Sequence, residues 1–114
     1  MSDYTLDYFE IPSADTARSR AFFSTVFGWS MVDYGGSYTE VRDAGLLWGI
    51  NADPSDKSAA PVGVIRTADI AKAAQAVSAA GGTITRATYD YPGGKRFFFR
   101  EPGGAEFAVY EPRE

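Results

Sequence analysis

The chain has 114 residues, 45% of them hydrophobic and 23% charged, with a net charge of −4. That length allows one domain with a useful core, and the acidic balance argues against a nucleic-acid partner, which needs a basic face to neutralise phosphates. There is no cysteine and no histidine, which excludes disulfides, thiolate zinc sites and His-dependent triads, and removes the commonest general base.

The N-terminal stretch MSDYTLDYFE is charged and lacks the apolar run of a signal peptide or membrane span, so no membrane is expected and the cytoplasm is the default location. Within it, YTLDYFEI (4–11) reads as a strand. Asp15 is a good N-cap, because its carboxylate accepts from free N–H groups of a first turn, and a helix is predicted over 16–27. Gly28 can end it in a left-handed conformation. Three short strands follow, punctuated by Gly35-Gly36 and by Asp43-Ala44-Gly45. The polar run ADPSDKSAA (52–60) reads as a linker. The strand VGVIRT (62–67) comes next, then the cap Asp69 and a helix over 70–80, where Ile70, Ala73, Ala74, Val77 and Ala80 keep one face. Gly82 is the expected helix end. Three more strands follow, with a loop around TYDYP and a Pro-Gly-Gly turn.

The two halves are related. At an offset of 54, Ile11, Ala14, Asp15, Ala17, Ser24 and Gly28 recur as Ile65, Ala68, Asp69, Ala71, Ser78 and Gly82. At an offset of 58, GGSYTEVRDAG (35–45) lies over GGKRFFFREPG (93–103). After the extra Gly104, LLWGIN (46–51) lies over AEFAVY (105–110). The four-residue change of offset falls around TYDYP. One domain, 1–114, is therefore expected, as two βαβββ units of about 4–51 and 61–112, in the α+β class. Two copies at this period suggest a pseudo-symmetric pair rather than a solenoid.

FEIPSADTARSRAFFSTVFGW and RFFFREPGGAEFAVYEP, with the repeat between them, resemble the vicinal oxygen chelate superfamily, the glyoxalase, bleomycin-resistance and extradiol-dioxygenase group. The resemblance covers about residues 4–112. It implies curved mixed sheets around a cavity, completed in short members across a homodimer. It also implies a divalent metal, with one ligand from the first and one from the last strand of each unit. Those places fall on Tyr8, Gly49, Val62 and Ala108. Val, Gly and Ala have no side-chain donor and neutral Tyr is a poor one, so no metal and no other cofactor is expected. Glu10, Glu40 and Glu106 are carboxylates close to those places.

Strand alternation then extends the candidate site. With Tyr8 inward, Leu6 and Glu10 are inward, while Phe9 and Ile11 pack under a helix. Val62 brings Val64 and Arg66; Gly49 brings Leu47 and Asn51 and leaves Trp48 in the core. Ala108 brings Glu106 and Tyr110, with Phe107 and Val109 in the core. In RFFFR, Phe97 and Phe99 face the helix. Arg96, Phe98 and Arg100 take the other face, where Tyr38 lies over Arg96. The small residues Gly49 and Ala108 leave volume at the floor for a flat or partly apolar ligand. Glu10 and Arg66 either pair with each other or bind polar groups of that ligand. The expected function is metal-free binding of a small, partly aromatic organic molecule, antibiotic sequestration being its sharpest form. The alternative is a glyoxalase-like lyase, isomerase or dioxygenase, with unusual carboxylate ligation or Glu10 as a metal-independent base.

Overall fold

A computed structural model describes residues 3–113. Its element order is β1 (Tyr4–Pro12), α1 (Thr16–Phe27), β2 (Ser30–Tyr34), β3 (Tyr38–Arg42), β4 (Trp48–Asn51), β5 (Val62–Thr67), α2 (Ile70–Ala79), β6 (Thr83–Tyr91), β7 (Gly94–Arg100) and β8 (Glu106–Pro112). The βαβββ pattern thus occurs twice. The chain divides into two compact units, Tyr8–Val62 and residues 3–7 with 63–113.

In the first unit the strands lie in the order β2-β3-β4-β1, with β1 and β4 parallel and the other pairs antiparallel. In the second the order is β5-β8-β7-β6, with β5 and β8 parallel. Matched positions carry matched pairing. Phe9 faces Trp48 where Gly63 faces Phe107, and Glu10 faces Gly49 where Val64 faces Ala108. Each sheet is mixed because its first and last strands run the same way. The helix between the first and second strands covers one face, as parallel pairing requires of a connection.

Both caps form as the sequence predicts. Asp15 Oδ1 accepts from Arg18 N at 3.2 Å, and Asp69 Oδ1 accepts from Lys72 N at 3.1 Å. Such caps contribute about 1 kcal/mol each. Gly28 ends α1 at φ 73°. At the end of α2 the expectation fails by one residue: Gly81, not Gly82, takes the left-handed conformation, at φ 94°. α2 stops at Ala79, so the residue that must reverse the chain falls one position earlier.

A second difference concerns TYDYP. Thr88 to Tyr91 are the end of β6, not a loop. β6 has nine residues and its counterpart β2 has five, so the four-residue offset is a strand extension. Breaks in the β6–β7 register between Ile84 and Arg86 and between Arg86 and Tyr89 absorb it.

The helix-side cores follow strand parity. Val41, Trp48 and Ile50 are buried under α1, with Phe9, Ile11, Phe23, Trp29 and Met31 packed around them. Trp48 meets Phe23 edge-on at 5.1 Å between centroids and Trp29 at 6.0 Å. Trp48 is therefore a core residue, as expected. Under α2 the buried set is Ile70, Ala73, Phe97 and Val109, joined by Phe99 and Val77.

Candidate functional site

The sheet face turned away from α1 carries Tyr8 and Glu10 of β1, Tyr38 and Glu40 of β3, and Gly49 and Asn51 of β4. Register fixes the rows: Glu10, Gly49 and Glu40 lie side by side, and Tyr38 lies beside Asn51. The structure thus brings five of the expected residues together within one unit. Glu10 and Asn51 are each 1% exposed. The hydroxyls of Tyr8 and Tyr38 are 2.6 Å apart. Burial, followed by the charge of Glu10, pushes the Tyr38 phenol far above its ordinary range, and hydrogen bonds to Tyr8 and Glu10 add to this. Asn51 Nδ2 donates to Asp56 Oδ2 at 2.8 Å and approaches Glu10 Oε2 at 3.5 Å. Its Oδ1 accepts from Asp53 N at 2.9 Å. The segment expected as a bare linker therefore folds onto this end of the site, and Lys57 Nζ reaches Ser13 O at 3.1 Å.

The volume expected at Gly49 is occupied. A Cβ built on Gly49 would lie inside the van der Waals shell of the Tyr38 hydroxyl and 2.6 Å from that of Tyr8. Tyr38 reaches there diagonally, because an aromatic ring spans the distance to the residue two places from its direct partner. Glycine here is a close-approach requirement: the phenol stands where a side chain at position 49 would stand.

In the second unit the equivalent face carries two rows. Val64, Ala108 and Phe98 form one; Arg66, Tyr110 and Arg96 form the other. Arg96 is 4% exposed. Its guanidinium carbon lies 4.6 Å from the Tyr91 ring centroid and 5.3 Å from that of Phe98. Its Nε donates to Tyr89 Oη. Tyr110 donates to Asp7 Oδ1 at 3.0 Å. Burial and the Asp7 carboxylate push the Tyr110 phenol up to about 12, against an opposing effect of Arg66. Arg66 is exposed. Val62 is buried at the end of the first unit.

Two expected wall residues lie elsewhere. Leu47 precedes the start of β4 and is 48% exposed, because the chain becomes extended only at Trp48. Arg100 is exposed and turns back to donate to Gly104 O at 2.9 Å, closing its own loop. Sequence reasoning also missed Asp7, Asp56, Tyr89 and Tyr91. The two-residue spacing of Tyr89 and Tyr91 was the available signal for the last pair. An apolar groove of about 390 Å³ lies on the α2 side of the second unit, lined by Ile65, Ala73, Val77, Phe99 and Val109 among others. None of the expected site residues lines it.

The metal places implied by the resemblance do not fit a metal. Val62, Ala108 and Gly49 offer no side-chain donor, and Tyr8 is engaged with Tyr38. Of the nearby carboxylates, Glu40 is held by Arg42 Nε at 2.8 Å and Glu106 by Thr85 at 2.6 Å. Among the described residues no three His, Cys, Asp or Glu side chains cluster as a metal site would need.

A parallel pair of first and last strands, two further antiparallel strands and one covering helix, present twice, define a paired βαβββ protein. The sequence matches the Glyoxalase/Bleomycin resistance protein/Dioxygenase superfamily over residues 5–109, and the chain belongs to that family. Its fold is similar to the structure described as NAD-dependent benzaldehyde dehydrogenase from Legionella pneumophila, at TM-score 0.79 and 10% identity over 93% of this chain and 98% of that one. A superfamily member from Vibrio splendidus 12B01 gives 0.71 at 17% identity over 91% and 96%. Methylmalonyl-CoA epimerase from Mycobacterium tuberculosis gives 0.66 at 14% over 96% and 88%. At these identities the likeness is one of fold. No curated protein matches.

Proposed function

We propose that this chain binds a small, partly aromatic organic molecule without a metal, on the face formed by Tyr8, Glu10, Tyr38 and Asn51. The observation that carries the reading is the Tyr38 hydroxyl in the notch above Gly49. It replaces a chelating position by a phenol, and the two tyrosines give a flat ligand ring faces to stack on and hydroxyls to meet. Sequestration of an aromatic natural product is the sharpest form of this reading. A second reading has its own support: Glu10 is buried behind Tyr38, the place of a base that acts through a phenol without metal.

A thermal-shift screen of aromatic natural products on protein purified without chelator tests both, alongside elemental analysis. The expected result is stabilisation by at least one compound recovered unchanged, with no stoichiometric zinc, nickel or iron. A bound ligand stabilises by mass action. Turnover of the compound would favour the second reading; one metal per site would overturn both.

The protein is further proposed to act as a homodimer in the cytoplasm. Phe22, Val26 and Phe27 of α1 are each more than half exposed, an apolar surface of the kind that marks association. Light scattering should therefore give twice the chain mass of 12.3 kDa; a monomer at micromolar concentration would refute the dimer.

A further inference from the structure

We propose that the apolar groove beside α2 is a further binding site, which takes an aromatic ring carrying a protonated amine on a short chain, an arylalkylammonium ion. It shares no residue with the face of Tyr8, Glu10, Tyr38 and Asn51 and stands independently of the reading given to that face.

The groove has a volume of about 390 Å³, within the range of small-molecule sites. Ala76, Val77 and Ala80 line it from the helix and Phe99 from the sheet. Comparison of the two units explains why this space is open. At the offset of 54, Ala76, Val77 and Ala80 stand where the first unit has Phe22, Phe23 and Val26, and Gly81 and Thr83 stand where it has Phe27 and Trp29. In the first unit Trp29 stacks with Phe27 at 4.9 Å and with Phe23 at 6.1 Å between centroids. Helix and sheet are joined there by the chain's own aromatic rings. The second unit keeps the helix and the strands but lacks those three rings. Ile84 and Phe99 pack into part of the space, and the groove is the remainder. The occupant that matches it is what the first unit carries at the same place, an aromatic ring system, held by dispersion and by stacking on Phe99.

Charge selects among such rings. Among the described residues that line the groove, the charged side chain is that of Glu101. Gly103 N donates to its Oε1 at 2.8 Å and Ala105 N to its Oε2 at 2.7 Å. These two bonds, that of Ala105 first, fix the carboxylate in place and hold the carboxyl below its usual range. Each oxygen keeps a lone pair for a further donor. An ammonium group on the ring's side chain therefore meets a positioned, ionised acceptor, whereas an anion is repelled. The net charge of −4 favours the cation as well.

Tryptamine and indole-3-propionate test this, because they share a ring and a chain length and differ in charge. Titrations of the full chain followed by amide NMR should show tryptamine shifting the Ala76, Val77, Phe99 and Glu101 signals to saturation. The acid should bind about tenfold more weakly or worse, the worth of one hydrogen bond to a charged group. Glu101→Gln keeps an acceptor oxygen for its own loop and should erase that difference. Val77→Phe restores the ring that the first unit has, and Ala80→Leu narrows the groove from an exposed position; either should block tryptamine. Equal affinity for the two probes would overturn the proposal, as would undiminished tryptamine binding in both blocking variants. Shifts confined to Tyr8, Tyr38 and Gly49 would also overturn it, while supporting the separate reading of that face.

Discussion

Phe97→Ala is expected to lower the unfolding free energy by about 3–5 kcal/mol, the range for truncating a fully buried aromatic side chain. Phe97 is 0% exposed and packs with Ile70, Ala73 and Val109 under α2. A domain of this kind has roughly 5–15 kcal/mol in all, so the loss is a large fraction of its stability. Phe99 is on the same side of β7 but only partly buried, and Phe99→Ala should cost less. Chemical denaturation of both variants gives the comparison. If Phe99→Ala costs more than Phe97→Ala, the assignment of Phe97 as the centre of the second core is wrong.

Gly49→Ala is expected to cost about 2–4 kcal/mol, from overpacking together with the loss of buried hydrogen bonds. The added methyl would displace Tyr38 and with it the contact to Tyr8. Glu10, buried beneath, would lose one of its acceptor contacts. The obstacles are the ends of two side chains, Tyr38 first and Tyr8 second, rather than backbone, which predicts strong coupling to Tyr38. In a Tyr38→Ala background the same Gly49→Ala substitution should cost less than about 1 kcal/mol, because contacting residues are not additive. A double-mutant cycle measures this. Equal costs in the two backgrounds would show that Tyr38 does not fill the notch.

Much of this was legible because it is periodic. The caps at Asp15 and Asp69, the strand parity that buries Trp48 and Phe97, and the pairing of Tyr8 and Glu10 on one face all follow from periods of 3.6 and 2. What escaped was aperiodic or diagonal. Nothing local to Gly49 reports that a tyrosine eleven positions earlier leans across to it, because the two meet only through the register of β3 and β4. The linker looked like polar filler, yet Asp53 and Asp56 find the one buried amide, Asn51, that can serve both. Around TYDYP, Asp90 and Pro92 signalled a turn, whereas the alternation of Tyr89 and Tyr91 signalled a strand; pairing with β7 decided it. Leu47 was carried inward by extending parity one residue beyond the strand that justified it.

The tyrosine over Gly49 also constrains the history open to this chain. A carboxylate arising at position 49 in one step meets the Tyr38 hydroxyl and destabilises the fold. Shrinking Tyr38 beforehand leaves a void beside a buried Glu10. The route to a chelating residue at this position therefore passes through a weaker intermediate in either order. Selection acting one substitution at a time holds the phenol in place, whatever ligand it serves.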